Sequence, residues 1–470
     1  MKLSHHLLTL FAWVATTTIV AAQATIVGIQ KIDPDTTRIH NSDERSLATI
    51  EGSFEKGSFR RPFDPAQSIA GGISTYGLKR LSRWTFEGSF RYNYQQQHDV
   101  WRAGVSDPYR NNPYTWADTS SGAWTRHFIE SRCRIASPLK DGHYFEFGLG
   151  YAAGQGARNR APKPLYRLNR INLNPSFTFP AGRLNIRAGV EYQYRREEDE
   201  MGGSYTSGNV LLYRLRGYGT FDKTSFISGV RFYNGHSGGL VSTVRARIGK
   251  GVESVFVGRF NATRENVTEG ISEPAEAGIY KEWKVDTRMI FILPSTSTSV
   301  EVLYSLIKGT GVDPAFDAVN VGFTRSEGTG RVSRQFKSFI KSATLTIDRS
   351  TDMAFDVVSS TDWEIRRAGV GAGAQFTVGN WDVQAQLKYS YTYDKAIGIL
   401  KPTEVSPILI VPYFDYVSTS FADYRLGVAR KFNLTNGNTI QAAVSSTLVD
   451  PAGNGQSFRF SIIPQLTMFM

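Results

Sequence analysis

Ten arginines give the sequence its clearest chemical direction: Arg91, Arg132, Arg134, Arg170, Arg187, Arg214, Arg216, Arg245, Arg247 and Arg425. Each falls on the polar parity of an alternating segment, in company with carboxylates such as Glu87, Glu130 and Glu191. Arginines turned into a water-filled tube make a positive lining that favours anions, as rings of Arg and Lys do in anion-selective pores. Arginines paired with inward carboxylates instead help to close a wet lumen. A largely dry lumen would need near-complete pairing, because an unpaired buried guanidinium is costly.

A second candidate lies between His98 and Trp124, where Trp101, Tyr109, Tyr114 and Trp116 surround Arg110 and Asn111. Aromatic faces with polar neighbours suit a sugar or another flat ligand, and equally suit a loop that folds into a barrel mouth. Signals for catalysis are thin. His40, His98, His127, His143 and His236 show no pair at metal spacing, there is no cysteine cluster, and no nucleophile motif is present. The glycines of 369–373 lie inside an alternating segment, not between strand and helix, so they are no phosphate loop. Neither enzyme activity nor a cofactor is expected.

The elements that must position these residues are strands. From Trp381 the odd positions run Trp381, Val383, Ala385, Leu387, Tyr389, Tyr391 and Tyr393, and every even position between them is polar. That period belongs to a strand with a different solvent on each face. Before it, Val370, Ala372, Ala374, Phe376 and Val378 alternate with small and polar residues, and Gly379-Asn380 supplies a two-residue turn. Tyrosines crowd one end of the apolar face and a tryptophan marks the other, as in the aromatic girdles of a membrane barrel. The apolar face is therefore expected to meet lipid.

The same unit recurs around Ser82-Arg83, Asp141-Gly142 and Ala181-Gly182, and more weakly around Asp222-Lys223, Lys250-Gly251, Pro294-Ser295, Arg349-Ser350 and Asn436-Gly437. Longer polar connections at 98–123, 155–165, 197–207, 310–331 and 395–415 alternate with these turns. Short turns at one rim and long loops at the other are the asymmetry of an outer-membrane barrel. The expected fold is all-β, a transmembrane antiparallel β-barrel of about 16 to 20 strands. Leu47 to Phe54 reads as a weak first strand. The chain closes on Phe458, Phe460, Ile462, Leu466, Met468 and Met470, with Phe469 on the other parity and Pro464 costing a ladder bond or marking a bulge.

Composition agrees. The chain has 470 residues, 41% of them hydrophobic, with 29 Phe, 22 Tyr and 44 Gly. A mean hydropathy of −0.28 looks soluble only because each lipid-facing residue alternates with a wet one. No run in the body reaches the roughly 18 apolar residues a membrane helix needs. Residues 1–24 read as an export signal, with Lys2, an apolar stretch and a small-x-small site at Ala22-Gln23-Ala24. Residues 25–44 read as a short periplasmic or lumenal segment, and 45–470 as the barrel. Cys133, the single cysteine, is expected on the lipid face. A net charge of +12 points to anionic headgroups or lipopolysaccharide phosphates, not to nucleic acid.

Several stretches carry a resemblance: Gly57-Ser58-Phe59-Arg60-Arg61-Pro62, the run from Asp107 to Tyr114, Gly154-Gln155-Gly156-Ala157-Arg158, and Tyr194-Arg195-Arg196-Glu197. In this order they resemble a family of Bacteroidota outer-membrane β-barrel proteins of unknown function. The resemblance implies the outer membrane as location and brings no activity with it. The leading expectation is a channel or transport protein that passes small, anionic solutes. The alternatives are a closed barrel that acts as a surface scaffold or binds a ligand or partner, and an outer-membrane hydrolase. Expected partners are outer-membrane lipid, lipopolysaccharide, the barrel assembly machinery and an unidentified cell-surface protein.

Overall fold

A computed structural model describes residues 44–139, 142–202, 211–225, 228–248, 251–435, 437–452 and 458–470. The signal, nearly all of the 25–44 segment and His40 lie outside the described residues. The first strands are β1 (Arg45–Gly57), β2 (Gln67–Leu81), β3 (Trp84–Ala103), β4 (Trp116–Pro138) and β5 (Tyr144–Arg158). They continue as β6 (Leu165–Ala181), β7 (Leu184–Gly202), β8 (Leu211–Leu215), β9 (Phe221–Ser225) and β10 (Ser228–Ile248). Next come β11 (Val252–Glu269), β12 (Ala275–Leu293), β13 (Thr298–Asp313), β14 (Ala318–Gln335) and β15 (Ile340–Asp356). The last are β16 (Thr361–Val378), β17 (Trp381–Ile399), β18 (Phe421–Asn433), β19 (Thr439–Pro451) and β20 (Arg459–Phe469).

Each strand pairs antiparallel with the next, except that β7 pairs with β10 and the β8–β9 hairpin is left out of the wall. β20 returns to β1 through pairs such as Thr49↔Thr467, so the sheet closes into a barrel of 18 strands. That count lies inside the expected range, and barrels of 16 to 18 strands are wide enough for an aqueous channel. Pro464 sits at this seam. Pairing is interrupted between Glu51↔Gln465 and Phe54↔Ile462 while the register stays the same on both sides, so the proline opens the ladder without a bulge.

Alternation produces the wall as expected. Gly379, at φ 58°, turns β16 into β17 at the pair Val378↔Trp381. The odd face of β17 is exposed, with Trp381 at 44%, Leu387 at 48% and Tyr391 at 54%. Exposed apolar residues encircle the barrel, among them Ile129, Phe147, Leu240, Phe260, Val302, Leu345 and Leu448. Such an inside-out distribution is stable only against lipid, and the strands cross the membrane. Cys133 is exposed and sits across from Leu149 on that face.

Eight short turns form one rim and nine loops the other, with both barrel ends on the turn side. Two expected turns are corrected. Arg349-Ser350 lies within β15, paired to β14 and β16, because the alternation runs through it unbroken. Asp222-Lys223 lies in β9, part of the hairpin outside the wall. The expected connection 310–331 is mostly strand, leaving 314–317 as the loop. The apolar core is not in the wall either. Buried clusters such as Tyr280, Phe323, Trp363, Ile410 and Phe414, or Ala117, Tyr213, Leu215, Val405 and Leu409, fill the lumen at the loop-side end.

Candidate functional site

Four loops make this lumenal core, and loop 104–115 is its centre. Its own residues shape it: Asp107 accepts the Tyr109 N–H at 2.9 Å, Asn111 takes a left-handed φ of 74°, and Asn112 accepts the Tyr114 N–H at 2.9 Å. Short amide and carboxylate side chains stabilise such turns by bonding backbone two residues on. The loop then docks on the wall through charge. Arg110 reaches Glu197 on β7 at 2.9 Å and Glu265 on β11 at 3.1 Å, and it lies over the Tyr233 ring. The Ser106 N–H donates to Glu197 at 2.7 Å, and Arg195 also pairs with that carboxylate. Burial works against the charge on Arg110, but Glu265 and Glu197 outweigh it and hold its pKa above the ordinary value.

The loop ends are fixed across the barrel. Tyr114, fully buried, donates to Asn320 at 2.8 Å, and Asn320 in turn donates to the Arg216 carbonyl at 2.6 Å. The Trp116 indole donates to Glu269 at 3.0 Å. The β8–β9 hairpin extends this layer by pairing with β4 at Trp116↔Arg214 and Asp118↔Leu212. Its tip hangs on one carboxylate: Asp356 accepts from the Gly219 and Thr220 amides at 2.9 and 3.0 Å and from the Thr220 hydroxyl at 2.9 Å. Loop 400–420 carries a π-helical turn (Ser406–Ile410) and helix α1 (Val411–Ser418). Thr403 bonds the Gly219 carbonyl at 2.9 Å, and Lys223 pairs with Glu404 at 2.7 Å. Loop 58–66 completes the plug, with the Arg61 guanidinium 3.7 Å above the Tyr109 ring and Phe59 against Tyr416.

Two spaces flank these contacts. Inside the plug, a cavity of about 140 Å³ is walled by Tyr109, Tyr218, Trp363 and Tyr413, with Arg325 and Asp352 on one side. Tyr109 stacks on Tyr413 at 6.1 Å, and Tyr218 meets Trp363 edge-on at 4.8 Å. Burial pushes the phenols of Tyr109 and Tyr218 up, so they remain protonated donors at neutral pH. Elsewhere in the lumen, a vestibule of about 480 Å³ is lined by Arg132, Arg134, Arg170, Arg187, Arg259 and Lys284 against Glu87, Glu191 and Glu282. Each of the six cations is in an ion pair, with Glu130, Glu87, Glu146, Glu191 or Asp286, so the lining is dense in charge and close to balanced.

The ten arginines therefore divide. Arg132, Arg134, Arg170 and Arg187 line the vestibule. They pair with Glu130, Glu87, Glu130 and Glu146 respectively. Arg91 pairs with Glu51 at 2.6 Å, Arg245 with Glu253 at 3.3 Å and Arg425 with Asp423 at 2.6 Å. Arg214 and Arg216 belong to the plug, held by Glu269 at 3.4 Å and by Asp313 at 2.7 Å. Arg247 is exposed near the turn-side end of β10. Tyr109, Tyr114 and Trp116 are parts of the plug, whereas Trp101 is 45% exposed on β3 and shares no platform with them. Tyr413, Tyr218, Asp352 and Asp356 were not singled out in the sequence. Tyr413 lies on α1, Tyr218 in the β8–β9 tip, and Asp352 and Asp356 near the loop-side end of β15; no local pattern links them, because their partners lie across the barrel.

Among the described residues no group of three His, Cys, Asp or Glu is placed to hold a metal. His127 and His236 each bond a tyrosine hydroxyl, from Tyr92 at 3.0 Å and Tyr192 at 2.9 Å.

Solved structures of similar shape include the siderophore receptor PiuA from Acinetobacter baumannii, at 10% identity over 91% of this chain and 81% of that chain, TM-score 0.47. The FrpB iron transporter from Neisseria meningitidis matches at 10% identity over 90% and 81%, TM-score 0.44. The outer membrane transporter YddB from Escherichia coli matches at 6% identity over 91% and 81%, TM-score 0.40. The fold stands on the strand pairings above, and the likeness carries no substrate across. No curated protein matches the sequence. Three of the stretches that carry the sequence resemblance, around Arg61, Arg110 and Arg195, build and anchor the plug, the fourth ends at Arg158, which pairs with Asp118 of β4, and residues 37–463 match the family described as "Family of unknown function (DUF6850)", to which the chain belongs.

Proposed function

We propose that the protein is an outer-membrane transport barrel whose loop plug gates the passage of small solutes, anions preferred. The observation that carries this reading is the pairing of a charge-lined vestibule with a loop plug that is attached to the wall by polar as well as apolar contacts. A scaffold with no need of a lumen has no use for six inward cations on four neighbouring hairpins. The anion preference rests on the chain's net charge of +12, since the vestibule's own cations are all paired.

The test is conductance in a planar bilayer of the full chain beside a variant in which 106–113 is replaced by a short Gly-Ser link. The expected result is brief openings in the parent and steady, anion-selective conductance in the variant. Silence from a demonstrably folded variant would overturn the reading. The aromatic cavity favours a second one, a closed barrel that binds a flat or sugar-like ligand at Tyr109, Tyr413 and Trp363. Quenching or shift of tryptophan emission on ligand addition, lost in Trp363→Phe, would support that reading.

A further inference from the structure

Resting on the outer-membrane reading, we propose that the outer wall of strands β7 and β10 to β13 carries a docking surface for the phosphate groups of an outer-leaflet glycolipid. Arg196, Arg264, Lys281 and Lys308 are all exposed there, with His236 between them. Their parity places them outside: they alternate with lumenal Glu197, Glu265, Glu282 and Ile307 and share a face with Tyr192, Phe260, Trp283 and Tyr304.

The register brings them together. Arg264 is directly opposite Lys281, and His236 is directly opposite Arg264. Lys308 is opposite Trp283, one diagonal step from Lys281. Like charges directly opposite in a sheet destabilise it. An anion bound between them would relieve that repulsion. The wall does not supply one, since among the described residues none of the four cations is in an ion pair. Arg264 donates only to Asn266 at 3.2 Å, and Arg196 lies over the Phe232 ring at 5.6 Å. In the lumen the pattern is the opposite, with arginines there held by carboxylates.

Height identifies the occupant. The four cations and His236 lie ten to twelve residues beyond the turn-side ends of their strands at Leu184, Ile248, Val252, Leu293 and Thr298. At about 3.3 Å per residue and a tilt of about 40°, that is roughly 25 to 30 Å, the height at which the apolar band of a barrel ends. Aromatic residues lie just below, at Tyr192, Trp283 and Tyr304, where an interface girdle belongs. The cations thus meet the headgroups of the loop-side leaflet. Five strands about 4.8 Å apart spread the patch over roughly 19 Å, room for a headgroup with more than one phosphate. A soluble anion would be held poorly at such an open site; a lipid anchored in the same plane is held there by its chains.

The experiment titrates the refolded full chain in neutral detergent micelles with lipid A bisphosphate and with its dephosphorylated form, and counts bound lipid by native mass spectrometry. Saturable binding of the bisphosphate, at least tenfold tighter than the dephosphorylated lipid, is expected. Each cation near a membrane phosphate is worth about a fivefold change in binding. Arg196→Gln, Arg264→Gln, Lys281→Gln and Lys308→Gln together should therefore weaken it by about a hundredfold or more. Equal binding of the two lipids by the unaltered protein would overturn the inference, with no appeal to a variant. So would full binding by a quadruple variant whose heat-modifiable band shows a folded barrel. Failure of the unaltered chain to fold as a barrel in any micelle would instead count against the outer-membrane reading itself.

Discussion

Replacing Arg110 with alanine should unlatch the plug. The Arg110 side chain is 6% exposed and its partners Glu197 and Glu265 are 0% and 6% exposed, so all three are out of water. Removing one partner of a buried ion pair costs about 3 to 5 kcal/mol, because the remaining charge is stranded. Arg195 stays on Glu197, and the Ser106 amide still donates to it, which places the expected loss near the lower figure. About 3 kcal/mol corresponds to roughly a 150-fold change in an equilibrium constant. The undocked fraction of loop 104–115 should rise by that factor, and with it the open probability in single-channel recordings. Arg110→Lys keeps the charge but loses the fork that spans two carboxylates, so it should fall between the two. An open probability unchanged in Arg110→Ala, from protein shown to be folded, would refute the reasoning that this ion cluster holds the gate.

Three further outcomes follow from the same geometry. Asp356→Ala removes three bonds to the 219–220 tip, and with charged hydrogen bonds worth about 1.5 to 3 kcal/mol each, the β8–β9 hairpin should become cleavable by protease while the barrel stays resistant. Replacing Arg132, Arg134, Arg170 and Arg187 by Gln in the loop-deleted barrel should move the reversal potential toward cations; replacing Arg214 and Arg216 should alter open probability and leave selectivity as it was. The Lys223 hydrogen bond lowers the pKa of Glu404, so the clasp between hairpin and loop 400–420 is complete above the ordinary carboxylate range and is lost as pH falls through that lowered value. Hydrogen exchange in 400–420 should quicken at acid pH in the parent and show no such step in Glu404→Gln.

What the sequence made legible and what it hid divide along a physical line. Strand parity is a local property, so the faces of β16 and β17 could be read directly. Even some ion pairs were within reach, since Glu130 and Arg132, or Asp423 and Arg425, sit two apart on one strand face. Turns were harder where their residues were ordinary. Arg349-Ser350 imitates a turn dipeptide but sits amid continuous alternation, and the turn after β14 at 336–339 is carried by Phe336, Lys337, Ser338 and Phe339. The plug was hidden for a different reason. Arg110 lies 87 positions from Glu197 and 155 from Glu265, and Lys223 lies 181 from Glu404. Barrel closure brings such residues face to face, and no window along the chain contains both members of a pair. Of the loop residues that looked like a ligand platform, Tyr114 and Trp116 hold that plug and Tyr109 walls its aromatic cavity. A loop rich in aromatics and paired charges beside a barrel lumen should therefore be weighed first as something that fills it, and only then as something that captures a ligand from outside.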